Sequence, residues 1–185
     1  MDLENYIYSR CKSIIEGWNE KDIYAVSFFV YFNDADNSFE FSVGYNTEAY
    51  CENAGKFSEE RWNFAFWSHN NIPVIADEDE DSVKMLRRWF AEKGIDNVGE
   101  PCGCEYDSEM NYIGKGPSGY YELLTLVSDT ARKLQSDGTV KNRLGSVPVI
   151  VHDLEYTWYV KEATLNANPN GEATDFIQAF DRQFC

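Results

Sequence analysis

Apolar positions in the first 45 residues follow the spacing of a helix and then of two strands. Residues 2–17 carry apolar side chains at helical spacing, which predicts an amphipathic helix that ends at Gly17. The nearly continuous apolar run Ile23–Phe32 predicts a strand buried on both faces. After a turn at residues 33–38, residues 39–45 alternate between apolar and polar, which predicts an antiparallel partner strand. The chain therefore opens with a helix and a β-hairpin.

The middle of the chain has a less regular pattern. Thr47 is expected to cap a short helix over residues 47–54. The segment Arg61–Trp67 alternates aromatic side chains, which favours a third strand, although a short helix is an open alternative. A turn at His69–Pro73 follows. Residues 82–94 carry an apolar stripe at helical spacing and end in glycine, which predicts a helix.

The second half contains a long irregular segment between two helical patterns. Residues 95–119 hold five glycines and two prolines with little periodicity, which predicts a loop of a length that is often functional. Helices are predicted over Tyr120–Leu134, with Ser118 as its cap, and over Glu172–Phe180, with a strand at Val147–Val151 between them.

These elements predict the fold class. The sequence has no internal repeat and no composition break. We therefore expect a single α+β domain over residues 1–185, with a mainly antiparallel sheet, an N-terminal hairpin and about four to five packing helices.

The composition restricts the classes of partner. Of 185 residues, 43% are hydrophobic, which provides enough apolar surface for a folded core. Acidic residues number 32 against 16 Lys and Arg, giving a formal net charge of −16. Because a phosphate backbone and an anionic membrane both require a basic surface, neither nucleic acid nor membrane is an expected partner.

The cysteines and the N-terminal segment indicate a compartment. The chain has five widely spread cysteines, an odd number that favours free thiols over a disulfide framework. The first residues include Asp2 and Glu4 and lack the basic and apolar regions of a signal peptide. No run of roughly 18 apolar residues is present. We expect a cytoplasmic protein.

Two motifs contain residue types that bind metals or catalyse reactions. Cys102 and Cys104 are separated by one residue, and no second pair completes the four ligands of a structural zinc site, so free thiols are favoured. His152 follows a predicted strand, where a general base could lie, but the adjacent Asp153 points to the opposite face of that strand. A structural histidine is the favoured interpretation. The sequence assigns no metal, no cofactor and no catalytic residue.

Acidic and tyrosine residues are the candidate contacts for a protein partner. The run Asp77–Asp81 places negative charge at the start of a predicted helix, where the helix dipole favours it. Five consecutive acids exceed what one helix end uses, so a binding role is also open. The candidate partner-binding residues are Asp77, Glu78, Asp79, Glu80, Asp81, Glu105, Tyr106, Asp107, Glu109 and Tyr112.

Several stretches together resemble a bacterial family of uncharacterised function. They are Asp22–Phe32, Gly44–Glu48, Arg61–Trp67, Val147–Tyr156 and the turn Asn168–Gly171. In these stretches the chain is similar to the family named domain of unknown function 4303. The resemblance implies no catalytic residues. Small acidic cytosolic bacterial proteins of this kind are similar in style to immunity and antitoxin proteins, which neutralise a toxin by binding it.

The sequence therefore predicts a non-enzymatic acidic binding protein, of the immunity or antitoxin type, that neutralises a basic protein partner. An acidic surface accelerates encounter with a cationic cleft. The alternative is an enzyme or small-ligand-binding protein that uses the 95–119 loop with His152 and a cysteine. The oligomeric state is not assigned by the sequence.

Overall fold

Four strands form one mixed sheet, and the predicted hairpin supplies its two central members. The computed structural model describes residues 2–33, 38–52, 54–103 and 105–183. The strands are β1 (Ile23–Asn33), β2 (Ser38–Thr47), β3 (Ile72–Ile75) and β4 (Val149–His152). Their order across the sheet is β3-β2-β1-β4. The β1–β2 and β2–β3 pairs are antiparallel, whereas β4 runs parallel to β1.

Seven α-helices and one 3-10 turn accompany the sheet in the described residues. The helices are α1 (Leu3–Gly17), α2 (Glu59–Trp62), α3 (Glu80–Glu92), α4 (Tyr120–Ser136), α5 (Thr139–Leu144), α6 (Trp158–Ala167) and α7 (Thr174–Gln183), and the 3-10 turn is Phe64–Phe66. The α+β class of the prediction is confirmed. None of the described helices is both long enough and apolar enough to cross a bilayer.

The two faces of the sheet are covered by different helices. Phe39, on one face, packs against Phe90 of α3 and Tyr120 of α4, with ring centroids 5.6 and 5.9 Å away. On the other face, Phe29 stacks on Phe64 at 4.3 Å, and His152 lies against Phe176 of α7. Because strand residues alternate between faces, β1 is buried on both sides, as its apolar run predicts.

Two side chains cover the outer edge of β4. One comes from α6 and the other from the residue that follows it. The amide of Asn168, which follows α6, accepts a hydrogen bond from Val149 N at 2.9 Å and donates one to Val149 O at 2.7 Å. One turn earlier, Thr164 Oγ1 accepts from Val151 N at 3.1 Å and donates to Val151 O at 3.4 Å. The two side chains thus occupy the backbone positions where a neighbouring strand would pair.

The expected strand at Arg61–Trp67 is wrong, and the short-helix alternative is correct. The segment forms α2 and the 3-10 turn, and the Asn63 side chain accepts from Ala65 N between them. The indole N–H groups of Trp62 and Trp67 donate to the carbonyl oxygens of Lys56 and Arg61, at 2.7 and 3.0 Å. Both indoles are buried by this local folding without a sheet partner.

Three smaller expectations also need correction. Residues 48–52 form turns, and Thr47 Oγ1 accepts from Tyr50 N at 3.2 Å, so Thr47 caps a turn and not a helix. The expected turn at His69–Pro73 contains the start of β3. The cap of α4 is Gly119, at φ +89°, where an added Cβ would lie 2.8 Å from the Phe90 ring. The hairpin turn predicted at residues 33–38 falls largely on 34–37, which lie outside the described residues.

Candidate functional site

The acidic run Asp77–Asp81 begins α3, and all five residues are exposed. Asp79 is the N-cap: its Oδ1 accepts from the backbone N–H groups of Asp81 and Ser82 at 3.2 and 3.3 Å. Its Oδ2 accepts from the hydroxyl of Tyr6 on α1 at 3.1 Å. The backbone donor of Ser82 lowers the pKa of Asp79, because it stabilises the charged carboxylate. Asp79 is therefore committed to holding the helix start.

The other members of the run are less engaged. Asp77 accepts from Ser38 Oγ at 2.9 Å, and Glu80 pairs with Lys84 one helical turn later at 3.0 Å. Among the described residues, the side chains of Glu78 and Asp81 have no hydrogen-bond or ion-pair partner. These two carboxylates are consequently available to a partner without loss of a contact inside the fold.

The second group of candidates lies on a small hairpin inside the 95–119 loop. We call residues 105–113 the loop hairpin. Ile113 N donates to Glu105 O at 2.9 Å, and Asp107 N donates to Asn111 O at 3.0 Å. Asp107 also accepts, through Oδ1, from Glu109 N at 2.8 Å and Asn111 N at 2.9 Å. These hydrogen bonds fix the turn and lower the pKa of Asp107, first of all through Asn111.

The loop hairpin is anchored at its base. Tyr112 Oη accepts from Gly116 N at 3.0 Å, and Trp158 Nε1 donates to Gly114 O at 3.0 Å. The ring of Tyr112 passes so close to Gly114 that an added Cβ there would lie 2.5 Å from its Oη. Tyr106 packs edge-on against Tyr112 with centroids 5.6 Å apart. Tyr112 is therefore chiefly a structural member, whereas Tyr106 keeps half of its surface exposed.

The apolar residues of the loop hairpin face solvent. The exposed fractions are 76% for Met110, 51% for Ile113 and 50% for Tyr106. Met110 has a backbone φ of +67°, in the left-handed region that favours glycine. Met110 and Ile113 were not among the sequence candidates. The sequence feature that could have identified them is that they are large apolar residues inside an otherwise polar segment.

The structure places the two candidate groups on different supports. The acidic run contacts α1 through Tyr6 and the start of β2 through Ser38. Gly114, the residue after the loop hairpin, accepts a hydrogen bond from Trp158 at the start of α6. Glu105 and Glu109 are exposed on this hairpin, and Asp107 is half-buried in its turn. The acidic run and the loop hairpin are therefore two separate acidic elements, each held in place by hydrogen bonds.

His152 is enclosed in the core. Its side chain is 0% exposed, Nδ1 lies 2.9 Å from Ser27 Oγ, and Nε2 lies 3.1 Å from Trp62 O. Since a carbonyl only accepts, Nε2 donates to Trp62 O and Nδ1 accepts from Ser27. Burial lowers the pKa of His152 to about 4, so the ring is neutral at pH 7.

Around His152 lies a shell of aromatic rings and one further hydroxyl. Ring centroids of Trp67 and Phe64 lie 4.9 and 5.6 Å away. Tyr156 Oη donates to the same Trp62 O at 3.1 Å and accepts from Phe64 N at 3.0 Å. No described cysteine belongs to the hydrogen-bond or ring partners of His152. The network fastens α2 and the 3-10 turn to the sheet and leaves no open face for a substrate.

Asp153 points away from this network. Its carboxyl group lies beside the hydroxyl of Tyr120, and partial burial raises its pKa. His152 and Asp153 thus face opposite sides of the sheet, and Asp153 does not orient the imidazole.

The cysteines are dispersed. Cys11 and Cys51 are buried and Cys102 is exposed, all as free thiols. Burial raises the pKa of the Cys11 thiol, which makes it unreactive. Cys104 and Cys185 lie outside the described residues, and Cys104 is the second cysteine of the pair Cys102 and Cys104. Within the described ranges, no group of three or more His, Cys, Asp or Glu side chains is arranged to hold a metal ion.

Comparison of the chain with protein-family models, with curated proteins and with solved structures finds no match.

Proposed function

We propose that this chain is a non-enzymatic, cytoplasmic, acidic binding protein of the immunity or antitoxin type, which neutralises a basic protein partner. The proposal includes its resemblance to the bacterial family named domain of unknown function 4303. The observation that carries it is the shortage of cations that could neutralise its carboxylates. The sequence has 32 Asp and Glu residues against 16 Lys and Arg residues.

This shortage favours recognition by charge. Exposed carboxylates without cations nearby generate a negative potential that accelerates encounter with a cationic surface. The acidic run contributes two side chains, Glu78 and Asp81, that form no hydrogen bond or ion pair with another described residue. A basic cleft that accepts phosphates would accept carboxylates in the same positions.

The enclosed state of His152 favours binding over catalysis. A general base must reach the proton that it abstracts, and both nitrogens of His152 are already occupied inside the core. The proposal therefore assigns His152 to stability and the acidic surface to function.

The experiment identifies the partner and then measures the charge dependence of the complex. The tagged protein is expressed in its source cells, the bound protein is identified by mass spectrometry, and both are purified for binding kinetics. We expect a basic protein whose affinity falls about tenfold or more between roughly 50 and 500 mM NaCl, because salt screens exposed charges. Co-expression should suppress the toxicity of that partner.

A matched pair of variants tests the acidic run. Glu78→Gln/Asp81→Asn should slow association about threefold or more, since both carboxylates act at long range. Glu20→Gln/Glu52→Gln removes the same charge from exposed positions outside the run and should slow association less. The proposal is rejected if the identified partner is acidic, or if binding is insensitive to salt.

A further inference from the structure

We propose that the loop hairpin is the docking element, and that Met110 at its turn enters an apolar pocket with a basic rim on the partner protein. This inference rests on the proposed function and specifies which surface recognises the partner.

Three large apolar side chains of the loop hairpin remain exposed to solvent in the folded protein. Met110 is 76% exposed, and Ile113 and Tyr106 are each about half exposed. Large apolar side chains that remain in water while grouped on one small element mark protein-contact sites. A methionine is suited to such a contact, because its unbranched side chain adapts to irregular pockets.

The backbone at Met110 adds a second cost. Its φ of +67° is strained for a residue with a Cβ, and glycine or asparagine would adopt it more easily. The chain thus keeps a large apolar residue where both exposure and backbone conformation disfavour one. A contact outside the described fold accounts for this choice.

Hydrogen bonds hold both the turn and the base of the hairpin. Asp107 closes the turn with hydrogen bonds from Glu109 N and Asn111 N, and Tyr112 and Gly114 fix its base. A preorganised element loses little conformational entropy when it docks. Met110 is therefore presented at the turn of a hydrogen-bonded hairpin.

The charges of the hairpin define the rim of the pocket. Residues 105–113 contain three carboxylates, Glu105, Asp107 and Glu109, and no Lys or Arg. A partner that receives Met110 brings the rim of its pocket close to these carboxylates, so the rim must be cationic. A second copy of this chain would bring like charges together, which argues against self-association through the hairpin.

Site-specific photo-crosslinking tests the proposal in source cells. A benzophenone amino acid replaces Met110 in one variant and Leu165, an apolar side chain with 51% exposure on α6, in a control. We expect position 110 to form one dominant crosslink to a basic protein, and position 165 to form at least about fivefold less of it.

The outcomes separate the two proposals. A crosslink to a basic protein from position 165 and none from 110 overturns the docking element and leaves the proposed function standing. A crosslink from 110 to a second copy of this chain or to an acidic protein also overturns the docking element. If the acidic surface captures no basic partner at all, both proposals fail.

Binding to the identified partner gives a second readout. Met110→Gly should weaken the affinity at least about tenfold, whereas Met110→Leu should restore most of it. Met110→Gly should leave the melting temperature unchanged or higher, since glycine adopts the positive φ without strain. An unchanged affinity for Met110→Gly overturns the proposal.

Discussion

His152 shows how one buried side chain joins three elements. It belongs to β4, accepts from Ser27 on β1 and donates to the carbonyl oxygen of Trp62 at the end of α2. A neutral imidazole is suited to this position because it supplies one donor and one acceptor at once. Protonation would turn Nδ1 into a donor and place a charge in an aromatic core.

This geometry makes stability depend on pH. The pKa of His152 falls from an ordinary 6.5 to about 4 in the folded protein. The unfolded chain therefore binds more protons between these values, and the free energy of unfolding decreases as the pH falls through that window. The full contribution, on the order of 3 kcal/mol, is present above pH 6.5 and is lost near pH 4.

The variant His152→Gln tests this by removing the titration. Denaturant unfolding is measured at a series of pH values. At pH 7 the free energy of unfolding of the variant should be lower than that of the unchanged protein. It should decrease less than that of the unchanged protein between pH 7 and pH 4. His69→Gln, the same substitution at an exposed histidine, is the control. If the free energy of unfolding depends on pH equally in His152→Gln and in the unchanged protein, the pH dependence does not come from His152.

At the scale of elements, α6 is bound to the sheet by polar side chains. Asn168 satisfies both backbone groups of Val149, and its Nδ2 also donates to Thr164 O at 2.8 Å. Its Oδ1 accepts a further hydrogen bond from Gln135 of α4 at 3.1 Å. One buried amide thereby links β4, α6 and α4.

Removal of that amide should be costly. Asn168→Ala leaves the N–H and C=O of Val149 unpaired in the core, and we expect the free energy of unfolding to fall by about 2–4 kcal/mol. Hydrogen exchange at Val149 N–H should accelerate. Asn142→Ala, at an exposed position of α5, should change stability by less than about 0.5 kcal/mol. A similar small effect for Asn168→Ala would show that water replaces the amide.

The sequence predicted the elements whose buried positions are large and apolar. The helices α1, α3 and α4 and the strands β1 and β2 all have such positions at a regular period. The helix α6 was missed because its buried face is made of small and polar residues as well as apolar ones, including Ala163, Thr164 and Ala167. Their spacing is helical, but their side chains do not differ from the exposed ones in hydropathy.

The aromatic segment at 61–67 shows a different limit. Alternating Trp62, Phe64 and Phe66 have the period of a strand, yet the burial of Trp62 and Trp67 depends on indole hydrogen bonds to nearby carbonyl groups. Such local bonds are not visible in a pattern of hydropathy. The candidate site was limited in the same way. The charges could be located from the sequence, whereas the exposure of Met110 and Ile113 required the fold.

At the scale of the whole molecule, the net charge of −16 opposes the compact state. Folding concentrates carboxylates that the unfolded chain keeps further apart. Exposed ion pairs such as Lys84–Glu80 offset a small part of this repulsion, because exposed pairs stabilise weakly.

Salt should therefore stabilise the protein. We expect the melting temperature to rise by about 3 °C or more between roughly 20 and 300 mM NaCl, which corresponds to about 1 kcal/mol for a chain of this size. Glu20→Gln/Glu52→Gln, which removes two exposed charges outside the helices, should raise the melting temperature at low salt and make it less sensitive to added NaCl. A melting temperature that falls with added NaCl would show that attractive pairs outweigh the repulsion.

The closed edge of β4 has a consequence for how this molecule can assemble. Asn168 and Thr164 occupy the outward backbone groups of Val149 and Val151. At the opposite end of the sheet, β3 is four residues long and contains Pro73, which has no N–H to offer. Strand exchange, fibril growth and capture of an extended peptide all require an open row of such groups. Because both edge strands of this sheet offer few open backbone groups, we expect the protein to bind partners through its side chains.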